Sequence, residues 1–277
     1  MRKRVPWLHI LLFVVTFFTT LAAGAFQQNI DLTAEPGRIW EGLPFSLTLL
    51  AILLSHELSH YFTSRAHHTR ATLPYFIPAP NIIGTFGAVI KMTSPIISRR
   101  ALVDIGASGP VVGFVVSVVA SSVGLAQSKF VFVGDATPLL GLGEPMIFSF
   151  LARVFVGVPP EGYDILLHPV AFAGWIGLFV TFLNLIPIGQ LDGGHVAYAL
   201  LGPRQELLSK ALVVLLVLGS VLFWWPWAVW AVLMVFLGLK HPPIMRWETP
   251  LDPRRKFVGI LAFIIFILTF MPRPFVF

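Results

Sequence analysis

Cysteine is absent from the 277 residues and charge is scarce, with Asp, Glu, Lys and Arg together at 12%. Without cysteine there are no disulfides and no thiolate nucleophiles or metal ligands, so any chemistry must run on other side chains. Soluble domains carry about 25% charged residues. The low charge, set beside 56% hydrophobic residues, excludes an ordinary water-soluble domain and indicates an integral membrane protein. Internal repeats and low-complexity segments are also lacking. The net charge of +6 would suit nucleic acid in a soluble chain, but in a membrane protein its placement matters more than its sum.

What the chain does have is apolar runs. Residues 7–26 follow a basic start and form an uncharged stretch of about 20 residues, the length of a bilayer span and long for a signal-peptide core. A retained first helix is therefore expected, although Ala22 to Ala25 would also suit a cleavage site. Further spans are expected at 43–64, 101–126 and from 169 onward, with a last one at 257–270. Residues 207–224 and 226–239 add two apolar pieces, the second short for a crossing, and 146–156 reads as an interfacial helix. Pro74, Pro78, Pro80 and Pro95 exclude a helix over most of 65–100. Within that segment, the β-formers of 84–92 predict one strand of a sheet or hairpin. Small residues at Gly106, Ala107, Ser108, Gly109 and Gly113 predict close helix–helix approach in the third span. Pro187 and the glycines at 189, 193 and 194 predict a break in the fourth. Trp224, Trp225 and Trp227 read as an interfacial belt.

The apolar second span contains His56-Glu57-Leu58-Ser59-His60. On a helix, positions i and i+4 share a face, so both imidazoles can reach one metal ion. Glu57 projects beside them, where a carboxylate can take a proton from metal-activated water. Ionisable groups inside a bilayer are energetically expensive, which marks the cluster as a functional site. His56 lies about 20 Å into its span at about 1.5 Å per residue, in the inner third of a core of about 30 Å.

The basic residues are distributed unevenly. If each span crosses once, 15 of the 19 Lys and Arg fall on one side, leaving Arg38, Lys129, Arg153 and Arg273 on the other. The positive-inside rule then places the N-terminus and the loop after the His-rich motif in the cytosol. The fourth span crosses in the same sense as the second, so Asp192 arrives at a depth similar to His56.

His56-Glu57-x-x-His60, together with Asn184-x-x-Pro187-x-x-x-Leu191-Asp192-Gly193, resembles the two signatures of the site-2 protease family of intramembrane zinc metalloproteases. The resemblance covers about 43–194 and implies a three-helix catalytic core. It implies His56, His60 and Asp192 as Zn2+ ligands and Glu57 as catalytic base. It leaves no room for the PDZ or CBS domains of larger members, so a minimal member is expected. Two His and one carboxylate with an open fourth position suit catalytic rather than structural zinc. Asn184 is read either as a hydrogen-bond donor to the substrate backbone or developing oxyanion, or as a helix–helix bond or cap for the broken fourth span. His195 is read as a supporting or structural residue rather than a ligand. His67 and His68 are read as solvated.

The expected architecture is an all-α polytopic membrane protein with about six to seven transmembrane helices. Residues 1–277 form a single membrane domain with a short β-like segment beside the active site. The expected activity is hydrolysis of peptide bonds in or near transmembrane segments of other proteins. Substrate and membrane lipid are the expected partners, nucleic acid is not, and the expected location is a bacterial plasma membrane. The alternative is a catalytically silent scaffold of the same fold that binds transmembrane segments.

Overall fold

The computed structural model describes residues 6–133 and 141–276, so the basic Met1 to Arg4 segment and Asp135 lie outside the described residues. The chain runs α1 (Trp7–Gln27), α2 (Leu43–Ala66), β1 (Tyr75–Pro78), β2 (Thr85–Val89), α3 (Arg99–Leu125), β3 (Lys129–Phe132), β4 (Gly141–Leu142) and α4 (Met146–Phe155). It continues with β5 (Tyr163–Leu166), α5 (Pro169–Leu185), α6 (Asp192–Leu201), α7 (Gln205–Leu222), α8 (Trp227–Leu237), α9 (Pro253–Leu268) and β6 (Phe275–Val276). Four helical stretches are long and apolar enough to cross a membrane: Trp7–Gln27, Pro36–Ala66, Arg99–Leu125 and Asp192–Leu222. With the shorter apolar helices around them, they make a mostly helical polytopic membrane protein.

The helix ends follow local chemistry. Ser98 caps α3 by accepting from the Ala101 N–H at 3.2 Å. The imidazole of His168 accepts from Val170 N–H at the start of α5, where Pro169 opens the helix without losing a bond. Asp252 caps α9 in the same way, accepting from Arg255 N–H at 3.0 Å. α5 stops at Leu185 because Pro187 cannot donate to a continuing helix. The backbone between α5 and α6 is irregular but buried from Ile186 to Gly189, and Gly189 N–H donates to Ser209 Oγ of α7. Irregular backbone at membrane depth is tolerated when protein surrounds it in this way.

α3 lies at the centre, packed against α2, α5, α6 and α9. Its small residues let neighbours approach, with Gly174 and Gly177 of α5 lying directly on Ser121 and Ser117. Three antiparallel two-stranded ladders complete the described residues: β1 with β2, β3 with β5, and β4 with β6. The strand expected in 84–92 is β2, which pairs with β1 through a register shift between Phe76 and Pro78. Trp227 departs from the belt reading: it is buried, and its indole N–H donates to Pro272 O at 2.8 Å. The oxygen of a chain turn thus takes the place expected for interfacial water. Trp225 does stand exposed.

Candidate metal centre

Three helices build the centre. α2 contributes His56 and His60 from one face, and α6 contributes Asp192 as its first residue, immediately after the break. α3 forms the wall behind them. The wall is close because it lacks side chains: a Cβ on Gly113 would lie 3.0 Å from His56 Nδ1, and one on Gly109 would collide with the His60 ring.

The donor atoms converge. His60 Nε2 is 3.1 Å from His56 Nε2 and 3.2 Å from Asp192 Oδ2, and His56 Nε2 is 3.3 Å from the same oxygen. Among the described residues, these three form the one group of His and carboxylate donors gathered within 4.8 Å. The other ring nitrogen of His60 lies 2.8 Å from Ile105 O of α3. A carbonyl can only accept, so Nδ1 carries the proton and the Nε2 lone pair of the neutral ring faces a carboxylate oxygen. Two acceptors at that distance repel unless a proton or a metal ion lies between them. Ligand bonds of about 2.0–2.1 Å at tetrahedral angles give donor–donor edges of about 3.3 Å, close to the observed triangle. The donor set therefore fits a zinc-like ion.

Glu57 is buried beside His56 and faces the backbone of Ile90, just beyond β2, but does not belong to the donor triangle. Asn184, in the last turn of α5, places Nδ2 3.5 Å from His56 Nε2, so the amide stands at the rim of the centre. The structure thus brings together His56, Glu57, His60, Asn184 and Asp192. His195, one turn beyond Asp192, turns to a different partner, with Nδ1 2.7 Å from His241 Nε2. His241 in turn stacks on Tyr198. His67 is not solvated as expected: its Nε2 lies 2.8 Å from Asp104 Oδ2, an oxygen that also receives Arg255. Asp104 precedes Ile105, so this polar cluster lies next to the carbonyl that orients His60. Sequence reasoning missed that carbonyl and His241, since neither a backbone acceptor nor a contact across 46 residues has a local signature.

Residues 44–225, more than half of the chain, match peptidase family M50. The chain is 30% identical over 245 residues to the probable zinc metalloprotease EGY2, chloroplastic, of Arabidopsis thaliana, with 86% of this chain and 43% of the relative aligned. Its counterpart from Oryza sativa subsp. japonica is 30% identical over 277 residues, covering 95% of this chain and 49% of the relative. Probable zinc metalloprotease EGY1, chloroplastic, of Arabidopsis thaliana is 30% identical over 237 residues, covering 83% and 43%. The chain spans less than half the length of these relatives. No solved structure matches it. The match runs through both motifs that supply the donor triangle, and the chain belongs to peptidase family M50.

Proposed function

We propose that the protein is an intramembrane zinc metalloprotease that hydrolyses peptide bonds in or beside transmembrane segments of other membrane proteins. The observation that carries this reading is a buried His56–His60–Asp192 triangle of zinc-like dimensions with a carboxylate, Glu57, beside it. His56, His60 and Asp192 would hold Zn2+, which in such a site polarises a carbonyl and makes water acidic near neutrality.

The chain's own residues do the rest. Ile105 O fixes the His60 ring, so its Nε2 stays directed at the donor triangle. Glu57 accepts the proton of the attacking water on a carboxylate oxygen and delivers it to the leaving amine. Asn184 donates from Nδ2 to the peptide backbone or the oxygen on which charge develops. A substrate helix hides its peptide bonds, so it must unwind first. Among the described residues β2 pairs with β1 on one side only, and we assign its other edge to the unwound segment, added as a further strand.

The catalytic core would be about 43–194 within one membrane domain, with six to seven crossings once the shorter helices are included. The N-terminus and the loop after α2 would face the side on which the basic residues collect, the cytosol if the membrane is a bacterial plasma membrane. Because the chain contains no cysteine, single-cysteine variants test this cleanly. Met245→Cys should label from the cytosolic side and Ala34→Cys from the opposite side. Activity is tested by comparing membrane-protein fragments in cells carrying the intact protein or Glu57→Gln. A precursor that accumulates only with the variant is the expected substrate, and identical fragment patterns would refute the proteolytic reading.

A further inference from the structure

Where α2 ends, a cavity of about 500 Å³ opens, lined among the described residues by Arg65, His68, Thr69, Arg70, Ala71 and Thr93 and by no carboxylate. The chain turns tightly there. His67 N–H returns to Thr63 O and Thr69 N–H to Ser64 O, with His68 held at φ +56° in the left-handed position of a helix-terminating turn. Arg70 is fixed through its backbone: its N–H donates to Ser94 Oγ at 2.7 Å, and its carbonyl accepts from Thr93 N–H at 2.7 Å. The wall of the cavity is therefore set before any ligand arrives.

Its cations are not neutralised. Arg255 is paired with Asp104 and Asp252, and Lys210 with Glu206. Arg99 and Arg100 donate to the carbonyls of Ala199 and Pro250. Arg65 meets only the hydroxyl and ring of Tyr61, and the Arg70 guanidinium has no partner among the described residues. Neither lies within 4.0 Å of a carboxylate among those residues. Two guanidinium groups without a carboxylate partner among the described residues, beside an imidazole, match the charge and fork geometry of a phosphate.

The surroundings indicate what presents that phosphate. The cavity lies at the end of a membrane-length helix, where headgroups lie. Phe62, three residues before Arg65 on α2, is 63% exposed and offers an apolar surface for an acyl chain about one helical turn from the first of the cavity's arginines. Basic pockets at the ends of membrane helices bind anionic headgroups through this pairing of charge and apolar surface. We propose that the cavity binds the phosphate of an anionic phospholipid.

The test uses the full chain in neutral detergent, with phosphatidylglycerol, phosphatidylcholine and soluble glycerol phosphate titrated separately and bound lipid counted by native mass spectrometry. Wild type should retain phosphatidylglycerol in preference to phosphatidylcholine. Loss of about fivefold per arginine predicts binding about 25-fold weaker in R65Q/R70Q. R70Q alone removes a side chain with no structural partner and should lose about fivefold, which covers the case of a misfolded double variant. R254Q/K256Q removes the same charge from exposed positions elsewhere on the basic face and should bind as wild type does. Equal binding of phosphatidylcholine, or an equal loss in R254Q/K256Q, would overturn the site. Saturation by glycerol phosphate at the affinity of the lipid would overturn the bilayer as its source.

Discussion

α3 and the stretch containing α7 have almost the same mean hydropathy, yet they meet their surroundings in opposite ways. Half of the apolar window of α3 is buried, against 11% for Asp192–Leu222. Lipid tails are as apolar as leucine, so hydrophobicity alone gives a membrane helix no reason to leave them. α3 is buried because Gly109, Gly113, Ser117, Ser121 and Gly124 let other helices close on it. α7 presents Val214, Leu215, Leu218, Val221 and Leu222 outward. The described residues of α7 that are buried are polar: Gln205 donates to Ser209, and Ser209 holds the break before α6. In this protein small and polar residues, more than greasy ones, mark where the structure is built.

That contrast yields predictions of falling size. The largest concern the polar centre. Glu57→Gln should keep its zinc and lose about 10²–10⁴-fold in cleavage, because the amide cannot accept a proton. Asp192→Ala should lose metal and activity together, and stoichiometric zinc in that variant would disprove the ligand assignment. Asn184→Ala should lower kcat about 10²-fold with KM little changed if the amide serves the transition state. A parallel loss of thermal stability and activity would return it to helix capping. Gly109→Ala places a methyl group against the His60 ring, so zinc affinity should fall with a destabilisation of about 1–3 kcal/mol. Leu218→Ala removes more atoms from a helix of equal hydropathy and should change stability by less than about 0.5 kcal/mol, with cleavage intact. Thermal unfolding and zinc content of this pair decide the comparison: equal effects would break it.

Much of this was legible in the sequence. The extents of α1, α2, α3 and α4 follow from runs of suitable length, and the break before Asp192 follows from Pro187 and the glycines after it. Donor convergence was readable too, because i, i+4 spacing and equal crossing depth are both properties of a one-dimensional pattern. Pairings between distant segments were not. β3 with β5 joins four-residue strands more than thirty residues apart, too short to rise above a loop composition. His67 looked solvated because its partner, Asp104, is 37 residues away on another helix. Trp227 looked interfacial because the Pro272 carbonyl that receives its N–H comes from the far end of the chain.

The short outer helices bear on the bilayer itself. α8 has 11 residues and α9 has 16, with Val232, Phe236, Ile260, Ile264 and Ile267 turned outward. At about 1.5 Å per residue they reach about 16 and 24 Å, against a hydrocarbon thickness of about 30 Å. If both cross, lipid beside each must thin to match it, while α3, with 27 residues, reaches about 40 Å. The protein would then sit in a lopsided annulus. A helix arriving beside α8 or α9 would enter a pinched membrane, where its ends already stand closer to water.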